Sequence, residues 1–162
     1  RINELVAAGL EKFEAAGIQI LHIAGPADYD SVKHAYDAHP GGGVLKGFLK
    51  EVQFALGVAD VSICRSGASS LTELSFYEIP SVLIPYPYSA EDHQFYNAEI
   101  FSKLGAAELW SQDELDEDTF ADKVIKLVKD EGKLKVMRDE MSKLAVPDAS
   151  ERVCQVVVST LH

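Results

Sequence analysis

Two polar stretches in the sequence combine residue types that could handle a phosphorylated sugar. The first follows the apolar run VSIC (61–64) and reads RSGASSLTE (65–73). A glycine-containing turn there leads into a helix predicted to start near Ser70. A helix N-terminus beyond the end of a buried strand offers unpaired backbone N–H groups and a favourable dipole, which suits a diphosphate. Ser66, Ser69 and Ser70 would add hydroxyl donors, and Ala68 lies between them. An equally simple reading makes Ser70 and Glu73 an S-x-x-E capping box. Glu73 lies one helical turn in, where a carboxylate can accept both hydroxyls of a ribose. That role and capping compete for one side chain. Arg65 could pair with a phosphate or with a local carboxylate.

The second stretch, PYPYSAEDHQFYNAE (85–99), follows the apolar strand SVLI at 81–84. Its prolines and tyrosines fix a loop before the next helix. His93 and Asn97 are four residues apart and share a helix face, with Gln94 beside them. Amide side chains both donate and accept, as sugar hydroxyls require. The alternative is a polar first turn with Asn97 pointing at water, which predicts no clustering with residues 66–73. Successive strand ends opening on one crevice favour clustering.

Other candidates reduce to structural roles. His22 fits a core or hydrogen-bonded histidine. His34, His39 and His162 have no partner pattern, so no zinc or other metal site is indicated. The acidic cluster at 113–118 reads as a solvated helix start. Cys64 and Cys154 have no metal or redox spacing. Cys64 reads as a small buried hydrophobe, and a reducing compartment is expected. There is no serine–histidine–acid arrangement, nucleophile elbow, dinucleotide fingerprint or phosphate-loop lysine. No residue stands out as a general base, so no catalytic residue is assigned.

These stretches need rigid elements behind them. Residues 18–24, 44–49, 61–64, 81–86 and 106–110 read as strands. Helices are expected at 3–16, 28–38, 52–59, 70–77 and 92–104. From Asp116 onward the pattern is helical, with breaks near Gly132 and at Pro147 and a last helix from Ser150 to about Leu161. Strand–helix alternation with Val, Ile and Leu-rich strands predicts an α/β domain, a Rossmann-like parallel sheet flanked by helices on both faces. The 162 residues, 47% hydrophobic, suit one domain with a real core. With 15 Lys+Arg against 26 Asp+Glu the net charge is −11, which argues against a nucleic-acid partner. No apolar run reaches transmembrane length and no signal peptide is legible. The first residue is Arg1, and the chain reads as helix interior from its start, so residues upstream are expected.

CRSGASSLTE, IPYPYSAEDHQFYNAEIF and VPDASERV, in that order, resemble the bacterial MurG-type N-acetylglucosaminyltransferases, and the likeness runs from Arg1 through the final helix. That family moves N-acetylglucosamine from its UDP derivative to the lipid-linked muramyl-pentapeptide of peptidoglycan, undecaprenyl-diphospho-muramoylpentapeptide. It has two Rossmann-like lobes (the GT-B fold), and residues 1–162 correspond to the C-terminal, donor-binding lobe. The resemblance implies backbone contacts from Leu49 to uracil, contacts from Ala68, Ser69 and Ser70 to the donor sugar and diphosphate, and Glu73 on the ribose. His93, Gln94 and Asn97 would face the N-acetylglucosamine, although the family often has Gln where this chain has His93. It implies inversion by single displacement, with the base in the other lobe, and no cofactor. It also implies peripheral association of the full enzyme with the cytoplasmic side of the inner membrane, through the lobe that binds the lipid-linked acceptor. The family's first strand and its glycine-rich loop, GGS followed by G-A, precede the residues matching Arg1–Ile2–Asn3 and are not in this sequence. Their absence would expose the interior of the sheet. Two alternatives remain: the donor lobe of another lipid-directed glycosyltransferase, or a non-catalytic nucleotide-binding subunit.

Overall fold

A computed structural model describes residues 1–160. The expectations for Leu161, as the end of the last helix, and for His162 fall outside the described residues. The chain opens with α1 (Ile2–Ala8) and α2 (Leu10–Ala15), separated by Gly9 alone. Gly9 keeps right-handed helical geometry, with its N–H bonded to the Leu5 and Val6 carbonyls. A Cβ there would lie 2.8 Å from the Phe13 ring and 2.9 Å from the Ala121 methyl, so the missing side chain permits close helix packing. Gly17, with φ +72°, ends the pair.

There follow β1 (Ile20–Ile23), α3 (Tyr29–Ala38), β2 (Gly43–Lys46), α4 (Val52–Leu56), β3 (Ser62–Cys64) and α5 (Ala68–Phe76). Next come β4 (Ser81–Leu83), α6 (His93–Lys103), β5 (Ala107–Leu109), α7 (Glu117–Val128), α8 (Glu131–Ser142) and α9 (Ala149–Thr160). All pairings are parallel, as the alternation of strand and helix requires. The strands form two separate ladders, β1–β2 and β3–β4–β5, rather than the single sheet expected.

At β4 both sheet faces are covered. Val82 and Ile84 pack with Leu5, Phe13, Phe120 and Val124 on one side. Leu83 packs with Leu71, Leu74, Ala98 and Met141 on the other. The two-residue period of a strand produces this split. Phe13 and Phe120 are fully buried, each contributing about 1.5–3 kcal/mol of transfer free energy. The β1–β2 ladder is covered on one face only: Leu21, Ile23 and Val44 remain exposed on the other.

The helical tail breaks at Lys129–Asp130, near Gly132 as expected, although Gly132 itself lies within α8. The Asp130 carboxylate accepts from the Lys133 N–H and starts the new helix. Asp116 does the same for α7, accepting from the backbone N–H and hydroxyl of Thr119. These bonds hold its carboxyl below the usual carboxylate range. The acidic cluster thus begins a helix, as its sequence suggests.

Candidate functional site

The two polar stretches follow the carboxyl ends of β3 and β4, neighbours in one ladder. Helix α5 begins at Ala68, two residues before the expected start. Gly67 is its N-cap, in extended geometry (φ −68°, ψ 144°), and no side chain caps the helix. The first helical bond runs from the Leu71 N–H to the Gly67 carbonyl at 3.0 Å. The N–H groups of Ala68, Ser69 and Ser70 therefore have no helical acceptor, and none within the protein is found among the described residues. A Cβ built on Gly67 would meet nothing within 4 Å, so the space in front of this turn is open.

This start corrects the capping-box reading. Ser70 is the third helical residue, too far in to cap, and Glu73 has no cap to complete. Glu73 is exposed, and its carboxylate forms no hydrogen bond or ion pair among the described residues. Ala68 and Ser69 are exposed and Ser70 half-buried.

Ser66 needs a second correction. It is wholly buried, and its hydroxyl donates to the Gln94 carbonyl at 2.6 Å. It is a strut between the β3–α5 turn and α6, not an available donor. The Asn97 Nδ2 group donates back to the Ser66 carbonyl at 3.1 Å. The Gln94 Oε1 atom accepts from the Tyr86 N–H at 3.0 Å. Residues 66, 94 and 97 are thus brought together, leaving Asn97 Oδ1 and Gln94 Nε2 without protein partners among the described residues. His93 is exposed, and its Nδ1 lies 2.7 Å from the Ala90 carbonyl. Nδ1 must donate there, so the neutral ring presents Nε2 as an acceptor. Leu49 is half-buried in the loop after β2, in the other ladder, and no hydrogen bond ties it to this group among the described residues.

Backbone strain marks the entry to α6. Glu91 and Asp92 both adopt left-handed geometry, with φ of 51° and 52°. Consecutive non-glycine residues in this region are unfavourable and concentrate near ligand sites. A cavity of about 370 Å³ lies behind this loop, lined by Pro85, Tyr86, Phe95, Tyr96, Leu109 and Gln112 among others. Ser69, Ser70 and Glu73 are not among its lining residues.

Arg65 pairs with no carboxylate among the described residues. It donates to the Ile84 and Pro85 carbonyls at 3.1 and 2.9 Å and to Gln112 Oε1 at 2.7 Å. Tyr86 and Gln112 are members of the group that no local motif signals. His22 is a core histidine, with Nδ1 2.9 Å from the Tyr36 hydroxyl and Nε2 2.9 Å from Asn3 Oδ1. Burial lowers its pKa. Cys64 packs against the core as a half-buried thiol, its pKa pushed up to about 11 by burial. No group of three or more metal-ligating side chains occurs among the described residues.

An open helix N-terminus, a free carboxylate one turn along and amides from the next strand end suit a nucleoside diphosphate sugar. Residues 1–153 match the model of the glycosyltransferase family 28 C-terminal domain. The chain belongs to that family. This family 28 domain is 38% identical over 159 residues to a protein of Gloeothece citriformis named UDP-N-acetylglucosamine–N-acetylmuramyl-(pentapeptide) pyrophosphoryl-undecaprenol N-acetylglucosamine transferase, with 96% of this chain and 42% of the relative aligned. It is equally similar to the like-named protein of Nostoc punctiforme, over 96% of this chain and 43% of that one. The chain therefore spans less than half the length of these relatives. The crystal structure of Acinetobacter baumannii MurG superposes with a TM-score of 0.84 at 24% identity, over 98% of this chain and 46% of that one. That likeness shows the family 28 domain to share the Rossmann-like fold of one lobe.

Proposed function

We propose that residues 1–162 form the donor-binding lobe of a transferase that moves N-acetylglucosamine, with inversion, from UDP-N-acetylglucosamine to undecaprenyl-diphospho-muramoylpentapeptide. The names of the relatives support the substrate pair. The observation that carries the reading is the uncapped N-terminus of α5 at the end of β3. Its three free N–H groups and its dipole would stabilise the diphosphate as it leaves. Glu73 would accept the ribose hydroxyls, Leu49 would meet the uracil through its backbone, and His93, Gln94 and Asn97 would orient the sugar. Attack by the acceptor hydroxyl and removal of its proton fall to the other lobe.

The split sheet supports a further part of the reading. Ile20 of β1 and Ile63 of β3 pack against the same core cluster, yet no ladder joins the two strands. A strand supplied by preceding polypeptide would pair with both and make one continuous parallel sheet. Its carboxyl end would point at the α5 N-terminus. No helix among the described residues is long and apolar enough to cross a membrane. A peripheral position at the cytoplasmic face of the bacterial inner membrane, held by the acceptor lobe, is consistent with that.

Titration calorimetry of the full protein with UDP and with uridine tests the site. The diphosphate should strengthen binding by at least tenfold, about 1.4 kcal/mol. Equal affinities would remove the α5 N-terminus from the reading.

A further inference from the structure

We propose that Arg65 is a positioning residue that selects for the sugar part of the donor, an inference that rests on the donor-lobe reading above. Its guanidinium joins three strand ends at once. It extends from the end of β3, donates to the Ile84 and Pro85 carbonyls that follow β4, and donates to Oε1 of Gln112, which follows β5. It also lies 5.4 Å from the Tyr86 ring centroid, in cation–π range. The next link is direct: the Tyr86 N–H donates to Gln94 Oε1, and Gln94 and Asn97 are tied back to Ser66, the neighbour of Arg65. The rigid fork of Arg65 therefore fixes the loop that sets the two amides opposite the α5 N-terminus. A lysine could not do this, because one ammonium cannot span two backbone carbonyls and a side-chain amide with planar geometry.

The charge of Arg65 does a second thing. All its acceptors are neutral, and no carboxylate lies within ion-pairing distance among the described residues. Most of the other cations are paired, and the chain as a whole carries −11. The positive charge of Arg65 is thus left uncancelled three residues from the α5 N-terminus, where it adds to the field that would hold a diphosphate. Positioning and charge separate on substitution. Arg65→Lys keeps the charge and loses the fork; Arg65→Met loses both and keeps the aliphatic stem.

The test compares UDP and UDP-N-acetylglucosamine affinities by calorimetry in the full protein carrying residues 1–162, beside hydrogen exchange of the Tyr86 amide in the ligand-free state. In Arg65→Lys, affinity for UDP-N-acetylglucosamine should fall about tenfold while UDP changes less than about threefold. Arg65→Met should weaken both. The Tyr86 amide should exchange at least about tenfold faster in both variants, with α1 and α7 amides unchanged as the check on global folding. Equal weakening of the two ligands by Arg65→Lys would overturn the sugar-selective role, and unchanged Tyr86 exchange in both variants would overturn the positioning itself. If the unsubstituted protein binds neither nucleotide, the donor-lobe reading fails. The sugar-selective role fails with it, and the exchange result alone then judges the link from Arg65 to the loop.

Discussion

Glu73 is where a single side chain distinguishes ligand binding from helix maintenance. Because α5 starts at Ala68, with Gly67 as its N-cap and no side-chain cap, the carboxylate has no capping duty to lose. Glu73→Ala should therefore weaken UDP roughly tenfold to a hundredfold, the worth of charge-assisted bonds to two hydroxyls, while leaving the melting temperature almost unchanged. The 2′-deoxy nucleotide should bind the unsubstituted protein less well and show little further loss in the variant. Unchanged UDP affinity in a folded Glu73→Ala protein would remove the ribose role. His22 tests burial rather than binding. Its pKa lies below the ordinary 6.5, so the folded state holds the neutral ring and binds fewer protons than the unfolded chain. Its contribution is therefore complete above about pH 6.5 and declines as pH falls towards the lowered native value. Thermal melts at pH 7.5 and pH 5 should show a larger drop for the unsubstituted protein than for His22→Gln, which can still donate to Asn3. An equal drop would mean that the buried ring is not the group that titrates.

At the level of elements, the strands were legible because β-branched runs such as ILHI, VSIC and SVLI carry their own signal, and their order fixes a parallel α/β arrangement. The start of α5 was not. It depends on the extended backbone of Gly67, whereas the Ser70–Glu73 pair offered a recognisable local motif that the chain does not use. Ser66 was misread for a related reason. Its burial arises only when α6 folds back across the turn, a contact 28 residues away. Arg65 finds its partners 19, 20 and 47 residues further on, beyond the reach of spacing rules. The break between α1 and α2 at Gly9 was likewise hidden inside a continuous helical pattern. Its consequence is specific: Gly9→Ala would favour the helix locally but push a methyl into Phe13 and Ala121. Overpacking should win, lowering stability by about 1–3 kcal/mol in urea unfolding. A stabilised variant would show that α1 and α7 can separate without loss.

For the molecule as a whole, the separation of β1–β2 from β3–β4–β5 has a consequence beyond any ligand. In this chain taken alone, the sides of β1 and β3 away from their partners carry backbone groups with no ladder to join, and Leu21, Ile23 and Val44 leave an apolar face beside one of them. Such edges are templates for other copies of the same chain. What opposes that encounter is the net charge of −11, a repulsion that acts over roughly 10 Å at 0.1 M salt and shrinks to about 3 Å at 1 M. The isolated chain should therefore behave as a colloid held apart by its own charge. Light scattering at fixed protein concentration should report single chains at low ionic strength and growing assemblies as sodium chloride rises, with thioflavin fluorescence following if strands pair. Scattering that stays flat up to 1 M salt would mean that the open edges are already sealed in solution.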